Sequence, residues 1–157
     1  MKKNGIVFLI LVVSLTILLT GCGSSTTKQV ASAKQNYVDD KIAVMTVDLS
    51  DGYSVDFATG AAYFYKGGKI EDNEVIAHAF IITKAAYDDE ISYFTGDNKL
   101  EGKFKDLKDG IYSYTTDDSV EYFFPTNDDL YMKVVVGKEY KAEADSIYKR
   151  FSAERDE

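Results

Sequence analysis

The chain has 157 residues, 45% of them apolar, with 26 acidic side chains against 18 basic ones and a net charge of −8. That length makes one domain with a core of ordinary size. So acidic a surface repels phosphate backbones and anionic lipid heads, which argues against nucleic acid as a partner and against electrostatic docking on a membrane. Cys22 is the only cysteine and His78 the only histidine, so no internal disulfide forms and no closed zinc site can be assembled.

Met1-Lys2-Lys3-Asn4 is a short basic start, and Ile6 to Leu19 is apolar apart from Ser14 and Thr16. A membrane span takes about 20 apolar residues; this run is shorter and has the layout of an export signal. Ala31-Ser32-Ala33 also fits small-residue signal cleavage, but it lies too far beyond the apolar run. Leu19-Thr20-Gly21-Cys22 closes the run, and the polar stretch Gly23-Ser24-Ser25-Thr26-Thr27 follows. This pattern resembles the lipobox of bacterial lipoproteins. The resemblance implies cleavage before Cys22 and a diacylglyceryl group on its sulfur, with acyl chains such as palmitate. The protein would then be held at the extracytoplasmic face of the cell membrane. Two acyl chains anchor firmly where one binds only marginally.

On this reading residues 1–21 are the signal peptide, 22–40 the lipidated cysteine and a flexible tether, and 41–157 a single α+β domain. Loss of Lys2 and Lys3 with the leader takes the net charge from −8 to −10. Gly23 to Asn36 is small and polar without apolar periodicity, as a linker is, and would reach roughly 20 Å.

The folded part begins with Lys41 to Leu49, a β-branched stretch that predicts a strand. Ser50-Asp51-Gly52 is a turn, and Tyr53 to Phe57 alternates, with Tyr53, Val55 and Phe57 on one face. Ala58-Thr59-Gly60 turns again before a strand over Ala61 to Lys66. Glu74 to Ile82 is the most apolar stretch after the leader and predicts a central strand buried on both faces. Thr83 caps a helix over Lys84 to Phe94, with Tyr87, Ile91 and Phe94 on one side and Thr95-Gly96 as its stop. Four strands follow, over Leu100 to Leu107, Ile111 to Thr115, Val120 to Phe124 and Leu130 to Val136. The short turns between them predict an antiparallel meander. A last helix is expected over Lys138 to Ala153, its stripe formed by Tyr140, Ala144, Ile147, Tyr148 and Phe151.

The expected fold is therefore an α+β sandwich, an antiparallel sheet covered by a C-terminal helix and a shorter internal one. The order of elements from Gly110 to Phe151, with its tyrosine-rich strands and an Ala-rich helix ending in Arg150-Phe151-Ser152, resembles the PsbP-like family. That resemblance implies an accessory or assembly module, a transfer that fold alone supports weakly.

Chemistry-bearing patterns are sparse. His78 lies inside a strand, with no Cys partner and no Gly-x-Ser-x-Gly elbow in the chain, and reads as structural. The acid pairs Asp39-Asp40, Asp88-Asp89, Asp117-Asp118 and Asp128-Asp129 fall at turns or on a helix surface, and no calcium-loop pattern joins them. No metal or cofactor is expected. Tyrosine is the distinctive residue: 12 occur, with no Trp. Tyr112, Tyr114, Tyr122 and Tyr131 alternate with polar neighbours and are the candidate contact residues, since a phenol pairs an apolar ring with a polar tip. A half-buried sheet face that favours Tyr is the simpler account of them. The function expected is a membrane-anchored, non-catalytic binding or accessory module of the cell envelope, meeting an envelope protein or a cell-wall glycan. The alternatives are a small envelope hydrolase using carboxylates such as Asp117 and Asp118, or the solute-binding component of a transporter.

Overall fold

The computed structural model describes residues 29–38, 41–67, 74–96 and 103–156; Cys22 and the leader before it lie outside these. The chain runs through β1 (Val30–Val38), β2 (Lys41–Asp48), β3 (Tyr53–Ala58), β4 (Ala61–Lys66), β5 (Val75–Ile82), α1 (Lys84–Thr95), β6 (Phe104–Asp106), β7 (Tyr112–Thr115), β8 (Ser119–Pro125), β9 (Tyr131–Gly137), α2 (Ala144–Tyr148) and β10 (Phe151–Arg155). Two antiparallel sheets result. One has three strands in the order β1-β2-β10, the other seven in the order β3-β4-β5-β9-β8-β7-β6. This is α+β, as expected, and mostly antiparallel sheet.

Alternation builds the main core. In β2, Ala43, Met45 and Val47 are fully buried while their neighbours are half-exposed. From the larger sheet Ala62, Phe64, Ala77, Ala79, Met132, Val134 and Val136 meet them, and Phe151 and Ala153 of β10 join the same cluster. Phe64 packs edge-on against Phe151 at 5.3 Å. Apolar residues at every second position thus fill the space between the two sheets.

The far side of the larger sheet carries a second, smaller core. Tyr87, Phe94 and Phe123 are its buried members, with Ile82, Ile91, Phe104, Tyr112, Tyr114 and Tyr131 packed around them. Helix α1 supplies Tyr87, Ile91 and Phe94, the face expected from their spacing. Its N-cap is Thr83, whose Oγ1 accepts from Ala86 N at 3.1 Å.

Three expectations are corrected. The tether was expected to run to residue 40, but Val30–Val38 is a strand paired in register with β2. Its inward positions are Ala31, Ala33, Gln35 and Tyr37, too weakly apolar to show a period-two pattern. Backbone pairing makes this strand, and Gln35 is buried because its Oε1 accepts from Gly60 N at 2.9 Å.

The helix expected over Lys138 to Ala153 is broken up. Lys138–Glu143 is a 3₁₀ segment kinked at Tyr140, α2 spans only Ala144–Tyr148, and the chain then enters β10. The apolar stripe was real, for Ala144, Ile147, Tyr148 and Phe151 are all buried. Helicity fails after Tyr148 because Arg150 O accepts from Asp48 N at 2.9 Å, which draws the backbone into the sheet. The helix on which the PsbP-like resemblance partly rested thus stops before Arg150.

Two-sided burial of the Glu74 to Ile82 stretch holds only in part. Ala77, Ala79 and Ile81 are buried, whereas His78, Phe80 and Ile82 on the opposite face are half-buried. The order of the meander is as expected, with β6, β7, β8 and β9 paired in succession; of the strand expected over Leu100 to Leu107 only Phe104–Asp106 forms among the described residues, and 100–102 lie outside them.

Candidate functional site

The register of the larger sheet sets one row of side chains across all seven strands. Asp56 of β3 pairs with Tyr63 of β4, Tyr63 with His78 of β5, and His78 with Val135 of β9. Val135 then pairs with Glu121 of β8, Glu121 with Tyr114 of β7, and Tyr114 with Phe104 of β6. Directly opposed residues share a face, so this row lies on the α1 side of the sheet.

Helix α1 packs on one end of the row. Phe94 stacks on Tyr114 at 4.2 Å and on Phe104 at 5.6 Å. Tyr87 meets Tyr131 at 4.5 Å and donates its hydroxyl proton to Gly110 O. Burial pushes the Tyr87 phenol up to about 12, helped by the neighbouring tyrosines. At the other end Tyr63, His78, Phe80 and Val135 stay half-exposed. There Tyr63 meets His78 edge-on at 5.0 Å, and His78 meets Phe80 edge-on at 6.5 Å. The result is a shallow aromatic strip beside the helix.

A charged trio marks the boundary between the two ends. Lys133 Nζ lies 2.8 Å from Glu121 Oε2 and 3.4 Å from Glu90 Oε1 of α1, and 5.0 Å above the Phe123 ring. Burial alone would lower the Lys133 ammonium. Its hydrogen bond to Glu121 and the charges of both glutamates outweigh that and hold it raised. A protonated lysine between two carboxylates positions the helix and limits the strip.

The four candidate tyrosines fall in two places. Tyr112, Tyr114 and Tyr131 are half-buried and pack in the second core under α1. Tyr122 faces the other way, into the main core, at 3% exposure. Its ring stacks on Tyr148 at 4.1 Å and its hydroxyl donates to Asp145 Oδ1 at 2.6 Å. The structure therefore does not gather the four on one open surface. On the same face Tyr63 and Phe80 are half-buried like these three, but they stand outside the second core. The signal for them was present in β5, where small Ala77 and Ala79 alternate with large His78 and Phe80. Small residues facing in and large ones facing out mark a second working face.

The remaining candidates lie apart. Asp117 and Asp118 are exposed on the β7–β8 turn. Lys138 Nζ lies 3.8 Å from Asp118, and Lys141 Nζ donates to Asp117 O at 3.1 Å. Asp88 pairs with Lys84 on the surface of α1 at 2.6 Å, and Asp128 Oδ2 accepts from Arg155 N at 3.0 Å. Cys22, Asp39 and Asp40 lie outside the described residues. Among those described, no group of three or more His, Cys, Asp or Glu side chains is placed to hold a metal ion. No helix among them is long and apolar enough to cross a membrane. An open depression of about 280 Å³ is lined by Tyr37, Lys41, Ile42, Arg155 and Asp156 at the end of the smaller sheet.

Comparison with protein-family models, with curated proteins and with solved structures finds no match for this chain.

Proposed function

We propose that this protein is a lipid-anchored domain on the extracytoplasmic face of a bacterial membrane that binds a partner and catalyses nothing. Leu19-Thr20-Gly21-Cys22 after a basic start and an apolar run supports the anchor. The observation that carries the binding reading is the half-exposed strip of Tyr63, His78 and Phe80 beside α1. Aromatic rings on a rigid sheet offer contact area at low entropic cost, and they suit an envelope protein surface or the apolar face of a cell-wall sugar. The short Ala144–Tyr148 helix reads as a cover on the inner face of the larger sheet, supported by the Tyr122–Tyr148 stack.

Two measurements test this. Mass spectrometry of the membrane-extracted protein should find Cys22 as the N-terminal residue, carrying diacylglycerol. Cys22→Ser should leave the leader attached and the acyl mass absent. A wild-type chain with position 22 unmodified removes the anchor. For binding, the full chain and Tyr63→Ala/Phe80→Ala are compared in envelope pull-downs and on isolated cell wall. The double variant should lose about tenfold or more of whatever the wild type retains while melting within a few degrees of it. Equal retention by both, or none by either, ends the binding reading.

A further inference from the structure

Among the described residues strand β1 lies at the edge of its sheet with no strand beyond it, and its sequence fits itself. Leu49 N donates to Gln29 O at 2.7 Å. Alternation along an antiparallel pair, with the register of Ala31 on Val47, Ala33 on Met45 and Gln35 on Ala43, then aims the backbone of those three residues at β2. The N–H and C=O groups of Val30, Ser32, Lys34 and Asn36 point the other way. Among the described residues none of these four makes a backbone hydrogen bond on that outer side.

The other edge of the same sheet is closed. Ala153 N donates to Thr126 Oγ1, which donates in turn to Ala153 O, both at 2.9 Å. Arg155 N donates to Asp128 Oδ2 at 3.0 Å. At the ends of the larger sheet, β6 has three residues and β3 six. An open edge of nine residues is a template for another strand.

We propose that β1 pairs antiparallel with β1 of a second copy of this chain, about a two-fold axis at Ala33, joining two three-stranded sheets into one of six strands. Read in both directions from Ala33, the strand complements itself. Ser32 stands opposite Lys34 of the partner subunit, and Val30 opposite Asn36 of the partner subunit, so all four outward residues are used twice over. Ala31 faces Gln35 of the partner subunit, and the small Ala33 pair lets the backbones meet. A shift of the axis to Lys34 would set two ammonium groups face to face. In the Ala33 register each Lys34 instead keeps its own Asp156 at 2.6 Å and meets a neutral hydroxyl across the seam. The interface is isologous and closes on itself. It is independent of what the aromatic strip binds.

The test is the association of the full-length chain, purified in mild detergent and followed by sedimentation over a dilution series. The wild type should show a concentration-dependent dimer. Ser32→Lys sets lysine against lysine twice per dimer and should weaken it about 2- to 30-fold, the range of two cross-strand charge pairs. Ser32→Glu should strengthen it by a similar factor, and Ser32→Lys combined with Lys34→Glu should restore it. Both single variants lose the same Ser32–Thr46 hydrogen bond, so a difference between them is not a folding effect. Ser32→Pro removes an outward N–H, leaves the β2 ladder intact and should abolish the dimer. A wild type that stays monomeric throughout overturns the proposal. So does a dimer that responds alike to Ser32→Lys and Ser32→Glu, or one that survives Ser32→Pro in a folded chain.

Discussion

Arg150 ties the β2–β3 turn to the start of β10. Its Nη1 donates to Ser50 O at 2.9 Å and its Nη2 to Asp51 Oδ2 at 2.7 Å, while the guanidinium lies 4.5 Å above the Tyr53 ring. Its Nε is buried without a partner. The turn it clamps needs help, because Asp51 and Gly52 both hold positive φ, 71° and 80°. A lysine keeps the charge but cannot fork to two acceptors and lie flat on a ring. Arg150→Lys should therefore cost about 1–3 kcal/mol, the range of lost charge-assisted hydrogen bonds, as read from urea unfolding. Tyr122 makes the second residue-scale prediction. Burial first, then the hydrogen bond to Asp145 and its charge, raise this phenol far above its ordinary 10.0. A phenol raised in the folded state favours folding most below its unfolded value, and that advantage fades as pH climbs toward the folded value. The urea midpoint should thus fall from about pH 10 upward, with Tyr122→Phe falling less steeply. A midpoint level through that range, checked against tyrosinate absorbance, would contradict it.

Among the elements, α1 was the most legible. Thr83 as a cap and Tyr87, Ile91 and Phe94 at helical spacing are local facts, and a local fact needs no partner to be read. The strands of the meander were legible for the same reason, with turn formers separating runs of β-branched and aromatic residues. Strands β1 and β10 were not. The inward set of β1 is Ala31, Ala33, Gln35 and Tyr37, and β10 takes Phe151 from the expected helical stripe, whose helix ends three residues earlier. Both exist because β2 lies between them. The edge of β10 makes its own prediction. Thr126→Val removes the hydroxyl that serves both Ala153 N and O, which should cost about 1–2 kcal/mol and raise light scattering on mild heating as a second edge opens. In α2, Ile147 is fully buried in the main core. Ile147→Ala should cost about 2–5 kcal/mol in the same unfolding assay, and a cost under 1 kcal/mol would mean that the helix covers nothing.

At the scale of the molecule, two cores on opposite faces of one sheet differ in weight. The main core joins both sheets, while the second is α1 with Tyr112, Tyr114, Tyr131, Phe104 and Phe123. Phe94→Ala should therefore loosen α1 without unfolding the sandwich. Hydrogen exchange of the Lys84–Thr95 amides should accelerate while β5 and β9 keep their protection. Loss of protection throughout would show one cooperative core instead. The candidate site follows the same division. Tyrosine abundance pointed to contact residues, yet which tyrosines pack and which stay open depends on the strand register and on where α1 lies. The sequence by itself determined the class of the fold, the capped helix and the strands of the meander, because periodicity and turn chemistry are written within short windows. Tertiary structure decided the pairing of β1 and β10, the end of the last helix and the grouping of Tyr63, His78 and Phe80 apart from the core under α1. Each of those turns on hydrogen bonds and burial between segments far apart in the chain.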